Sequence, residues 1–166
     1  EYVISEYFMK RIFSVSVENR FGVLSKVSSL FARRGYNIES LTVGETHDPT
    51  ISNMTIVSSG SPHDLEQIEK QLNKKLDVIK VRTFKEEESI SREVILVKIK
   101  YTAANRSEII EICQITKAEI VDTTDSNMIL LLCDTPDRVD KFIDMIRKFS
   151  IIELSRTGTL AMKKCK

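Results

Sequence analysis

Three short segments carry the residue types from which a ligand site could be built. Glu18-Asn19-Arg20-Phe21-Gly22-Val23-Leu24-Ser25 joins an alternating apolar run to an amphipathic one. If the second run is a helix, its first backbone N–H groups lack intrahelical partners and point outward, which suits a carboxylate. Gly22 has no side chain, so a ligand can approach the main chain there. Asn19 offers both an amide donor and a carbonyl acceptor, the combination a zwitterion needs. The same features also describe an ordinary capped βα turn without a ligand, and spacing alone does not separate the two. In Arg34-Gly35-Tyr36-Asn37-Ile38-Glu39-Ser40-Leu41, Gly35 reads as a helix stop, and Asn37 is a two-way polar group beside the apolar Ile38. Alone, Asn37 would be a turn residue. Asp48-Pro49-Thr50-Ile51-Ser52-Asn53-Met54-Thr55-Ile56 shows only a turn followed by a strand.

Other chemistries find little material. The chain has no spaced carboxylate pair, no Ser/His/Asp set, no phosphate-cradling Walker loop and no GxGxxG fingerprint. Its two histidines, His47 and His63, fall in loop-like contexts. Cys113, Cys133 and Cys165 are odd in number and lack CxxC spacing, so neither a disulfide framework nor a zinc site is expected. Cys113 and Cys133 sit in apolar stretches and read as core residues; Cys165 lies in a basic tail. The acidic run Glu86 to Glu88 has no histidine nearby and reads as a solvated linker. No catalytic residue and no metal ligand is therefore assigned. With 25 Lys+Arg against 24 Asp+Glu, the charge balance gives no reason to expect nucleic acid as a partner. The longest apolar run, Met128 to Cys133, is far too short to span a bilayer, so no membrane partner is expected. The opening Glu1 to Glu6 lacks a signal peptide's basic flank and cleavage site, and Met9-Lys10-Arg11 reads like a natural start after an extension. With the unpaired cysteines, this points to a reducing, cytoplasmic setting.

The elements that would position these residues repeat in order. Ile12 to Val17 alternates as a strand, with Ile12 facing opposite to Phe13, Val15 and Val17. Val23, Leu24, Val27, Leu30 and Phe31 form one helical stripe ending at Arg33-Arg34 and Gly35. Ile38 to Gly44 and Ile51 to Ser59 read as an antiparallel pair across the Asp48-Pro49 turn. Ser61-Pro62 opens a second helix with Leu65, Ile68 and Leu72 inward, and Val78 to Val81 forms a fourth strand. After the break at 85–91, the pattern returns. It comprises a strand at Val94 to Ile99, a helix at Ser107 to Ile115, and strands at Glu119 to Asp122 and Met128 to Cys133. A helix capped at Thr135-Pro136 and a strand through Ile151, Ile152 and Leu154 complete it. Each half is thus a βαββαβ unit. The expected fold is α+β: two ferredoxin-like domains, 9–84 and 92–161, with antiparallel sheets under helices on one face. The other sheet face, or an edge, is left for another chain.

Arg11 to Asn19, Gly22 to Val27 and Arg34-Gly35-Tyr36-Asn37-Ile38-Glu39-Ser40-Leu41-Thr42-Val43 closely resemble the regulatory small subunit family of acetohydroxyacid (acetolactate) synthase. The resemblance continues through Asp48-Pro49-Thr50, Met54-Thr55-Ile56, Leu65 to Lys74, Arg92 to Ile99 and Ile152 to Gly158. It implies an ACT domain followed by a second ferredoxin-like domain, without catalytic activity or a cofactor of its own. Thiamine diphosphate, magnesium and FAD would sit on the catalytic large subunit. The implied function is to activate that subunit and confer feedback inhibition by valine or a related branched-chain amino acid. Carried over by residue, effector contacts fall on Asn19, Gly22, Val23 and Leu24 of one chain. Asn37 and Ile38 would come from its partner in a homodimer joined through the ACT domains. Arg20-Phe21 departs from the small, acidic or proline residues common there. A free-standing ACT amino-acid sensor is the alternative, though no helix-turn-helix or basic recognition helix accompanies it. A small enzyme on the same fold ranks third.

Overall fold

The computed structural model describes residues 9–165; the opening segment 1–8, read above as an extension, lies outside them. The chain divides into two compact units. One comprises the chain up to Ile90 together with the chain from Thr159 onward, and the other is Ser91–Gly158.

In the first unit, β1 (Met9–Glu18), α1 (Val23–Arg33), β2 (Ser40–Glu45), β3 (Ile51–Gly60), α2 (Pro62–Asn73) and β4 (Val78–Phe84) follow in βαββαβ order. The antiparallel sheet runs β2-β3-β1-β4, with Val15 opposite Met54 on one side and Val81 on the other. Successive strand residues point to opposite faces. Phe13, Val15 and Val17 therefore bury with the helices, while Ile12 joins a separate cluster. α1 adds Val23, Val27, Leu30 and Phe31, spaced to fall on one side of a helix. The Phe31 ring meets Phe13 edge to face, centroids 6.4 Å apart. α2 begins at a closed capping box: Ser61 Oγ accepts from the Asp64 N–H, and the Asp64 carboxylate accepts from the Ser61 N–H.

In the second unit, β5 (Ser89–Lys100) is followed by α3 (Arg106–Thr116), β6 (Glu119–Thr123), β7 (Asn127–Asp134), α4 (Pro136–Ile146) and β8 (Ser150–Arg156), with sheet order β6-β7-β5-β8. Its core gathers Ile95, Val97 and Ile99 with Leu130, Leu132, Ile109, Val139 and Phe142. The α+β architecture of two ferredoxin-like units matches the expectation.

Several details differ from the sequence reading. Cys113 is buried, and burial pushes its thiol up from the ordinary range, but Cys133 is exposed. Leu130 and Leu132 take the core face of β7, so alternation turns Cys133 outward. The acidic stretch read as a linker holds a 3-10 turn at Glu86–Glu88, and β5 starts immediately at Ser89. The second compact unit ends at Gly158 rather than 161. Beyond it lies a strand not anticipated, β9 (Leu160–Lys163), which pairs with β5. Ala161 packs with Ile12, Val57 and Phe84, so the returning chain covers part of the first sheet's helix-free face.

Candidate functional site

The turn from β1 into α1 is built to leave its helix start open. Gly22 precedes the helix with φ +81° and ψ −2°, a left-handed conformation that glycine adopts without steric cost. No side chain caps α1, and no acidic residue stands in its first turn. The Val23 N–H makes only a long bond to the Arg20 carbonyl, at 3.4 Å, and the next N–H groups are those a helix leaves without intrahelical partners. α2 offers the contrast, because Ser61 and Asp64 close its first turn. The open start also carries the positive end of the helix dipole, which favours an anion.

Asn19 stands beside this turn and is fixed from two directions. Its backbone N–H donates to the Thr50 carbonyl at 2.7 Å. Its side-chain Nδ2 donates to the Pro49 carbonyl at 2.9 Å and to Glu45 Oε2 at 3.3 Å. An amide nitrogen has two hydrogens, so both donors are engaged within the chain and only Oδ1 remains for a ligand. Asn19 is thus set as an acceptor, half of the two-way role assigned from sequence. The turn that sequence reading took as a bare hairpin supplies this restraint. Asp48 Oδ1 accepts from the Thr50 hydroxyl at 2.7 Å and the Thr50 N–H at 2.9 Å, which holds the Pro49 carbonyl in place.

Those Thr50 hydrogen bonds, the hydroxyl's first, hold the Asp48 carboxyl below its usual range. A carboxyl with a depressed folded pKa contributes stability above its unfolded value, and that contribution is lost as pH falls through the folded value. The 46–50 turn should therefore stay closed where ordinary aspartates protonate, near pH about 4, and open only at lower pH. An acid titration of the Thr50 amide chemical shift checks this; a midpoint at or above the ordinary value would contradict it.

The remaining site residues divide. Val23 is 3% exposed and packs into the core with Val27 and Phe31, so only its N–H is available, not an apolar wall. Leu24 is 44% exposed and can supply that wall. Asn37 is exposed and lies beyond the far end of α1; eleven residues at 1.5 Å per residue separate it from Gly22 by roughly 16 Å. Its carbonyl accepts from Ser58 Oγ at 2.6 Å, and the neighbouring Tyr36 hydroxyl donates to Asp64 Oδ1 at 3.4 Å, tying this turn to the α2 cap. Ile38 is half-buried against the core. Within one chain, then, Asn19, Gly22 and Leu24 belong to the β1–α1 turn and the first turn of α1, whereas Asn37 and Ile38 lie beyond the other end of that helix. Among the described residues, no group of His, Cys, Asp and Glu is placed to hold a metal ion.

A four-stranded βαββαβ sheet with both helices on one face has the architecture of an ACT domain. A family model described as an AHAS small subunit-like ACT domain matches residues 13–80, and one described as the small subunit of acetolactate synthase matches residues 92–165. The chain is 43% identical over 157 residues to the acetolactate synthase small subunit of Haemophilus influenzae, covering 94% of this chain and 96% of that protein. Against the acetolactate synthase isozyme 3 small subunit of Escherichia coli the identity is also 43%, with the same coverage. The crystal structure of the acetolactate synthase small subunit from Thermotoga maritima superposes with a TM-score of 0.89 at 34% identity, covering 95% of this chain and 98% of that one. The chain belongs to the acetolactate synthase small-subunit family, and by that membership it is a regulatory, non-catalytic subunit of an enzyme complex.

Proposed function

We propose that this chain raises the activity of a thiamine-diphosphate-dependent catalytic subunit and makes it sensitive to valine or a related branched-chain amino acid. The observation that carries the reading is the pairing of the uncapped α1 start with the acceptor-only Asn19. The ligand's carboxylate lies on the N–H groups after Gly22, where the helix dipole favours negative charge. Its ammonium donates to Asn19 Oδ1, and Glu45 stands close enough to add negative potential. The isopropyl group lies against Leu24. Asn37 comes from a second chain, because its own chain holds it beyond the other end of α1. The site is therefore complete only in a dimer joined through the first units.

Losing one buried polar partner costs about 1–3 kcal/mol, roughly five- to a hundred-fold in affinity. Asn19→Ala and Asn37→Ala should each weaken valine binding by that factor in calorimetric titration, while the complex still makes acetolactate faster than the catalytic subunit alone. Mixing the two variants tests the shared site directly. A hybrid dimer carries one site with both asparagines and one with neither, so part of the tight binding should return. Unchanged affinity in both variants would place the effector elsewhere. Failure of the mixture to recover would place both asparagines in one chain's site.

A further inference from the structure

Between α1 and α2, on their outer face, runs a groove of about 320 Å³ whose one end adjoins the β1–α1 turn. It is lined by four cations, Lys26, Arg33, Arg34 and Lys75, with Ser29 and Gln71 between them, and by no carboxylate. The whole chain balances 25 cations against 24 anions, so this is a local segregation of charge. Of the four, Lys26 pairs with Asp77 at 2.8 Å; Arg33, Arg34 and Lys75 have no ion pair among the described residues. Arg33 and Arg34 also complement the C-terminal dipole of α1 and Lys75 that of α2, but that role cannot explain Lys26 near the opposite end of α1 or the gathering of all four on one groove.

The end of the groove near Lys26 and Lys75 has a second character. Here the β1–α1 and α2–β4 loops are joined by the Glu18 N–H donating to the Asp77 carbonyl at 2.9 Å, and by the Lys26–Asp77 pair. Each loop presents one large apolar side chain, Phe21 and Leu76, and both are fully exposed. A single exposed hydrophobe needs no explanation. Two on adjoining loops, beside Lys26 and the unpaired Lys75, combine the aromatic anchor and cationic rim that protein interfaces use. A small anion would engage the cations and leave Phe21 and Leu76 without a function.

Resting on the subunit reading above, we propose that this face docks an acidic segment of the catalytic subunit. Its carboxylates would lie along the α1–α2 groove, and an apolar pocket would cover Phe21 and Leu76. The test is affinity between the full chain and its catalytic subunit, measured at several salt concentrations. Arg33→Glu with Lys75→Glu should weaken binding about tenfold or more and flatten its salt dependence. Phe21→Ser with Leu76→Ser should weaken it about tenfold with the salt dependence kept. Lys141→Glu on α4 with Arg147→Glu at its C-cap, an equal charge change, should leave it unchanged. Melting curves confirm that each variant is folded. Wild-type affinity in both face variants, or an equal loss in the α4 variant, would overturn the proposal. So would micromolar binding of inorganic phosphate that the Arg33/Lys75 variant loses while its subunit affinity is unchanged. A wild-type chain that does not bind the catalytic subunit at all would overturn the subunit reading itself.

Discussion

Gly22→Asp is expected to lower the affinity for valine at least about a hundredfold while the chain remains folded. On the proposed function, a new carboxylate at the head of α1 would lie where that reading puts the ligand's own carboxylate. Two unit charges about 4 Å apart repel by about 4 kcal/mol at an effective dielectric near 20. The aspartate would also accept from the same helix N–H groups, so the ligand would lose its donors as well. Space does not prevent the substitution: a Cβ built at Gly22 meets nothing within 4 Å. The backbone is the cost to the fold, since φ +81° burdens an L-residue by roughly 1–2 kcal/mol. Capping the open helix would offset part of that. Gly22→Ala separates the contributions, because it carries the same backbone strain without charge or acceptor. It should melt close to the aspartate variant yet keep most of the valine affinity. If alanine and aspartate impair binding equally, strain in the turn is responsible and the carboxylate does not sit there.

The fold was legible where short-range periodicity decides it. Phe13, Val15 and Val17 alternate with serines, Val23, Val27, Leu30 and Phe31 recur at helical spacing, and Ser61-Pro62 announces a helix start. All three patterns are carried by residues close in sequence, so they can be read without knowing any distant partner. The geometry of the candidate site was legible only in part. Asn19 and Gly22 could be picked out by type, but the partners that take Asn19's donors lie 26 and 30 residues away, and no local spacing announces them. Val23 is more instructive. The stripe that placed it with Val27 and Phe31 had already committed its side chain to the core, which excluded it from a ligand's apolar wall. Leu24, read into the same stripe, turns out of it at 44% exposed and is left free for the wall, so burial separates two neighbours that spacing had grouped. Cys133 fell the same way, outward, because Leu130 and Leu132 share the opposite phase of β7. β9 was illegible for another reason: four residues beside a lysine-rich end are too few to show a period, and their packing partners belong to the first half of the chain.

That last element leads to an expectation opposite to its position in the sequence. Removing Thr159–Lys166, at the C-terminus, should destabilise the N-terminal unit and leave the second unit almost unaffected. The Thr42 hydroxyl donates to the Thr159 carbonyl at 2.7 Å, and the Thr159 N–H donates to Ser40 Oγ at 2.5 Å. Lys164 donates from its backbone to the Glu88 carbonyl at 2.9 Å and from Nζ to the Glu87 carbonyl at 2.8 Å. Ala161 lies buried against Ile12, Val57 and Phe84, which its removal would expose to water. Each hydrogen bond is worth about 1 kcal/mol net and apolar burial about 25 cal/mol per Å², but ordering the segment offsets much of this. The surplus is of order 2–3 kcal/mol, enough to lower the melting of a unit this size by roughly 10 °C or more. The second core draws no residue from beyond Ile151, so truncation takes from that sheet only the pairing of β9 with β5. Because a chain of two units need not melt in one step, residue-resolved hydrogen exchange is the measurement. Protection should fall at the amides of Ile12, Val57 and Phe84 and persist at Ile95, Val97 and Leu130. Equal loss in both sets, or loss confined to the second, would mean that β9 does not stabilise the first sheet.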